Sequence, residues 1–175
     1  FKAWELPWAQ AYSFNEFCRL ILPYRSGQEP LESWRPYYWK KLKFVMDSVT
    51  NKDDPLEAAI FINQYLEYTF WGSDHLNGLR GNPRPVTLLQ WGMHKNCYDR
   101  IVMACSAMRA MGIATSRIEI PIYGDRRSGH AFNALFNPQK NQWVGFEAGT
   151  FHPPRNDQPP TVKLKITPKA FLDLN

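Results

Sequence analysis

Cys97, His130 and Glu147 are the residues of this sequence whose types and spacing suit nucleophilic chemistry. A cysteine attacks as its thiolate, and a free thiol with a pKa of about 8.5 is mostly protonated at neutral pH. A helix start shifts that balance, because unpaired backbone N–H groups and the macrodipole favour negative charge there, and a nearby imidazolium does so more strongly. Residues 97–111 have a helical period, with Ile101, Val102, Cys105, Met108 and Met111 available for one buried stripe. Gly112 is placed to end that helix, which puts Cys97 at its start. The same helix start would offer N–H donors to the oxyanion of a tetrahedral intermediate.

The base must come from elsewhere in the fold. His130 follows a Ser128-Gly129 turn and opens a strand, whereas His75 and His94 fall in loop sequence and His152 in a Pro-rich tail. A histidine acting as base needs its other ring nitrogen held by an acceptor. Glu147 ends the strand that follows, so an antiparallel hairpin would make it a neighbour of His130 on one face. Trp91, Asn96 and Asn133 are the candidate substrate-binding residues, Trp91 as a groove wall shortly before the nucleophile. Cys18 and Cys105 lie inside apolar helical stripes and are expected in the core.

Helices supply the scaffold up to residue 70. Ser13-Phe14-Asn15-Glu16 reads as a capping box opening a helix over 13–22, which Pro23 ends. A second helix is expected from Pro36 through Leu42 and Val45 to Val49. A third has Asp54 as cap, Pro55 at the first position and Glu57 closing a box, followed by Ala58, Ile60, Phe61, Tyr65 and Leu66. From Trp71 to Val86 the sequence is rich in Gly, Asn, Pro and Arg and reads as a long surface loop.

Beyond Gly112 the pattern turns to strands: Ala114 to Tyr123, His130 to Phe136, and Gln142 to Phe146 after a Pro-Gln-Lys-Asn turn, two of these pairing as a hairpin. Phe151 to Pro160 is Pro-rich and reads as irregular, and Thr161 to Thr167 alternates like a further strand. Helices followed by strands predict an α+β fold, with N-terminal helices packed on a small antiparallel sheet and the nucleophile at the start of a central helix. The 175 residues form one expected domain, 1–90 a helical lead-in and loop and 91–175 the helix and sheet carrying the site. The chain opens on Phe1 without an initiator Met and reads as part of a longer protein.

Composition narrows the classes. A hydrophobic share of 44% with 15% aromatics is ample for a packed core, so disorder is not expected. No run approaches the roughly 20 apolar residues of a membrane helix, and the mean hydropathy of −0.46 agrees. The net charge of +5 is spread among Trp, Pro and acidic residues without a basic stripe, which speaks against nucleic-acid binding. Three cysteines are too few for a disulfide scaffold, and the lack of CxxC or His/Cys clustering argues against a structural zinc site, while thiol chemistry at Cys97 would need no metal or organic cofactor. Six of the seven tryptophans (Trp4, Trp8, Trp34, Trp39, Trp71 and Trp91) are candidates to line a groove for peptide or glycan, though most are expected between packed helices.

The motifs then carry a family resemblance. Residues 97–150 resemble the core of the transglutaminase-like superfamily, in Cys97-Tyr98-Asp99-Arg100, in Met108 to Ala114, in Gly129-His130-Ala131-Phe132-Asn133, and in Trp143-Val144-Gly145-Phe146-Glu147. The resemblance implies a papain-like fold with Cys97 as nucleophile, His130 as base and Glu147 as orienting acid. Asn133 is the alternative orienter, since papain-type sites use Asn there. The sequence departs from the family pattern at Lys95, where Gly is usual, at Phe132, where Trp is usual, and at Glu147, where Asp is usual.

The implied reaction is acyl transfer or amide and peptide hydrolysis through a thioester, on a protein, peptide or glycopeptide substrate. The alternatives are a peptide:N-glycanase-like amidase and a catalytically inactive module binding peptide or carbohydrate in an aromatic groove. Leu22-Pro23-Tyr24-Arg25 and Trp34-Arg35 are similar to bacterial surface or secreted proteins with this domain, implying an extracellular, periplasmic or cell-surface location.

Overall fold

The computed structural model describes residues 2–71, 84–91, 96–121, 129–149 and 171–172, the side chains of Phe70, Trp71, Trp91, Phe171 and Leu172 excepted. Helices come first and an antiparallel sheet follows, an α+β arrangement. Two short 3-10 helices, Lys2–Glu5 and Pro7–Ala11, precede the capping box. That box forms as expected: the Ser13 hydroxyl accepts from the Glu16 N–H at 3.2 Å and the Glu16 carboxylate accepts from the Ser13 N–H at 2.7 Å. The helix it opens is α1 (Phe14–Glu16), continued by a π-helical turn over Phe17–Ile21.

The helix expected over 36–49 begins earlier and is interrupted. It forms α2 (Trp34–Leu42) and α3 (Val45–Ser48), with Pro36 still inside the first turn, where its missing N–H costs nothing. Between them, Met46 N–H donates to the Lys43 carbonyl and Asp47 N–H to that of Phe44, three-residue bonds that tighten the chain. In α4 (Pro55–Trp71) the Asp54 carboxylate accepts from the Leu56 N–H at 2.8 Å. Glu57 does not close a box on Asp54; it accepts from the N–H groups of Thr50 and Asn51, at 2.9 and 2.7 Å.

The expected loop from Trp71 to Val86 is shorter than its pattern suggested. Trp71 ends α4, and Pro85 and Val86 open α5 (Pro85–Trp91), while residues 72–83 lie outside the described residues. Long-range bonds dock the start of α5: the Tyr38 hydroxyl donates to the Pro85 carbonyl at 2.8 Å, and Val86 N–H donates to Glu32 Oε2 at 2.8 Å.

α6 (Cys97–Ala110) is the central element, packed by α2, α4 and α5 and by strands β1 (Thr115–Ile120) and β2 (His130–Asn137). Its expected stripe is buried, and so are the polar Asp99, Ser106 and Arg109. Gly112, at φ 70°, ends it, with the Ile113 N–H returning to the Met108 carbonyl at 2.9 Å. β3 (Gln142–Phe146) and the two-residue β4 (Phe171–Leu172) complete an antiparallel sheet of order β3-β2-β1-β4. The expected β2–β3 hairpin forms, turning at Asn141, φ 48°. β4 was not foreseen, and the stretches 151–160 and 161–167 lie outside the described residues.

Trp8 and Trp34 are fully buried and are anchors, not groove walls. Their indole N–H groups donate to the carbonyls of Met111 at 2.7 Å and Tyr24 at 3.0 Å. Two buried guanidinium groups tie the segment after the π turn to the core. Arg35 donates to the carbonyls of Ile21, Leu22, Pro23 and Arg109, and Arg109 to those of Pro23, Arg25 and Thr115. Burial pushes Arg35 down to about 10. Among the described residues no helix is long and apolar enough to cross a membrane.

Candidate functional site

Asn96 starts the site. Its backbone is extended, at φ −152° and ψ 179°, and its side-chain carbonyl accepts from the Asp99 N–H at 3.1 Å, so it is the N-cap of α6. Cys97 is therefore the first residue of the helix, as expected. It is half-buried and packs on an apolar cluster of Ile101, Cys105 and Ala131, the last being the residue after His130.

Tyr98 fixes this turn to the sheet. Its hydroxyl donates to Glu119 Oε1 at 2.8 Å, and the Arg117 guanidinium lies 5.9 Å from its ring centroid while bridging Glu119 at 3.3 Å. The bond to Glu119 and burial together push the Tyr98 phenol up. In the ladder, Glu119 pairs with Ala131 and Ile120 with His130. The first turn of α6 thus lies at the end of the sheet where β2 begins.

At that end His130 Nε2 and Glu147 Oε1 are 2.6 Å apart, with side-chain exposures of 24% and 29% that leave both within reach of solvent. The reach follows from register. Phe146 pairs with Asn133 as the last pair of the ladder, and continuing that register by one residue would set Glu147 opposite Phe132 and diagonal to His130. Diagonal neighbours are about 7–8 Å apart, a span suited to a long side chain. Alternation along β2 turns Ala131 and Asn133 toward α6, while His130 stacks on Phe132 on the other side, ring centroids 6.3 Å apart.

Asn133 stands apart from the His130–Glu147 pair. It is fully buried, and its amide donates to the Ile101 carbonyl at 3.3 Å and Cys105 Sγ at 3.2 Å, on the face away from His130. Asn96 is exposed, but its side-chain carbonyl is committed to capping, a role the sequence reading did not assign. Trp91 closes α5 and its side chain lies outside the described residues, as do His75, His94 and His152. Cys105 is core as expected, and burial pushes its thiol up, whereas Cys18 is only half-buried because it lies beside the buried Phe17, Leu20 and Ile21 rather than among them.

One residue beside the pair was missed. Asn63, fully buried in α4, donates to the Glu147 carbonyl at 3.2 Å and accepts from the Gly149 N–H at 2.8 Å. The readable signal was a polar residue on the buried face that Ala59, Ile62 and Leu66 define. A separate groove, lined by Asn15, Glu16, Arg19, Leu20, Phe136 and Trp143, lies at the other end of β2 from His130. Among the described residues no group of three or more His, Cys, Asp or Glu is gathered as a metal would require.

No protein-family model, curated protein or solved structure matches the chain.

Proposed function

We propose that the protein is a cysteine-dependent enzyme of acyl transfer or amide hydrolysis, with a transglutaminase-like, papain-like core and a protein, peptide or glycopeptide substrate. The observation that carries this reading is the 2.6 Å contact of His130 Nε2 with Glu147 Oε1, at the sheet end tied to the first turn of α6. With Nε2 donating to the carboxylate, Nδ1 is the acceptor nitrogen. In the reaction Nδ1 takes the Cys97 thiol proton as sulfur bonds to the substrate carbonyl carbon. That transfer requires imidazole and thiol to meet over the start of β2, between two element ends.

The Asp99 and Arg100 N–H groups already donate to Asn96, so the oxyanion falls to the N–H groups of Cys97 and Tyr98. Collapse breaks the carbon–nitrogen bond, and the imidazolium returns its proton to the leaving amine. The thioester that remains is resolved by water in hydrolysis or by a second amine in cross-linking. By the same family resemblance the protein acts in an extracellular, periplasmic or cell-surface setting.

Alkylation tests the reading, with the half-buried Cys18 as comparator for the half-buried Cys97. Near neutral pH iodoacetamide is expected to modify Cys97 at least about tenfold faster than Cys18, and His130→Ala to abolish the difference. Equal rates in the unmodified protein would sink the activated thiolate and leave a non-catalytic module, with the Phe136–Trp143 groove as its binding surface.

A further inference from the structure

The proposed reaction needs the Glu147 carboxylate held at the imidazole, and the β ladder does not reach it: pairing with β2 stops at Phe146. We infer that Asn63 is the positioning residue of the His130–Glu147 pair; its catalytic consequence rests on the cysteine-enzyme reading. Asn63 lies on the buried face of α4 with no solvent exposure. Its amide grips the chain on both sides of the acid, donating to the carbonyl of Glu147 and accepting from the N–H of Gly149. Only one orientation of the amide satisfies both bonds, a donor toward the carbonyl and an acceptor toward the N–H.

The segment is fixed between these two points. Ala148, 2% exposed, packs into the main core, and Gly149 turns the backbone through φ 59°, a conformation that a side chain disfavours. Phe146 in the ladder and Gly149 on Asn63 thereby hold Glu147 at a set distance and direction from β2. A buried amide in an apolar helix face is costly unless both ends are bonded, and here one end bonds Glu147 itself and the other Gly149, two residues on.

The test reads the pair directly. In the full chain, the His130 imidazole N–H shared with the carboxylate is expected as a low-field proton resonance, lost in Glu147→Ala. Asn63→Leu, which keeps volume and removes both bonds, is expected to weaken or shift that resonance and to slow Cys97 alkylation roughly tenfold. Ile62→Val, on the same buried face, is the control for simple loosening and should change neither. Adding Asn63→Leu to Glu147→Ala should slow alkylation no further. If Asn63→Leu does not fold, Asn63→Asp decides, since it keeps the acceptor for Gly149 and removes the donor to Glu147.

A folded Asn63 variant with an unchanged resonance overturns the inference, as does absence of the resonance from the unmodified protein. A resonance that is present and lost in Asn63→Leu, in a protein whose Cys97 is unreactive, upholds the positioning role and overturns the enzyme reading instead.

Discussion

Glu147 stands where the resemblance read from the sequence would put Asp, one methylene shorter, and a position diagonal to His130 suits the longer side chain. Asp at this position would fall short of Nε2, which Glu147 meets at 2.6 Å. Glu147→Asp is therefore expected to slow Cys97 alkylation about tenfold, and Glu147→Gln, with its reach kept, to slow it less. Alkylation rates of the two variants check this, and an Asp variant as fast as the parent would refute the register explanation. The helix start at Cys97, the strand start at His130 and the strand end just before Glu147 were legible because each is a local boundary in the sequence. Asn63 was not, because its partners lie 84 and 86 residues away and α4 alone shows only a polar residue out of place.

At the scale of elements, short-range signals held where the partner was also local. The Ser13 box formed, while Glu57 turned from its expected partner to the chain before it, since Thr50 and Asn51 present two N–H groups to one carboxylate. Those backbone bonds hold the Glu57 carboxyl below its ordinary value of 4.5. The folded form thus binds that proton less readily than the unfolded chain. Its stabilisation is complete above the unfolded value and is lost as pH falls through the lower folded value. Glu57→Gln is expected to lower stability at neutral pH and to flatten the acid limb of a urea-unfolding profile. A parallel downward shift at every pH would show that the charge is not the cause. The break between α2 and α3, the start of α5 and the pairing of β4 were not legible, because packing and long-range bonds decide them.

Over the whole molecule, α6 is the axle: its first turn carries the proposed nucleophile, its flanks meet helices and sheet, its last turn carries Arg109, which donates to Thr115, and its C-cap Met111 accepts from the Trp8 indole. Removing the Arg109 guanidinium takes its donors from the Arg25 and Thr115 carbonyls and leaves Pro23 to Arg35 alone, so Arg109→Met is expected to cost roughly 2–4 kcal/mol in urea unfolding. The carbonyls gathered around Arg35 and Arg109 act as a solvation shell built from backbone, with Pro23 shared between the two cations. A counter-ion across a surface bridge is weakened by added electrolyte, whereas peptide dipoles fixed by the chain and shielded from water are not. The cost of Arg109→Met should accordingly be the same in dilute buffer and in molar sodium chloride, making this junction a halotolerant seam in the molecule.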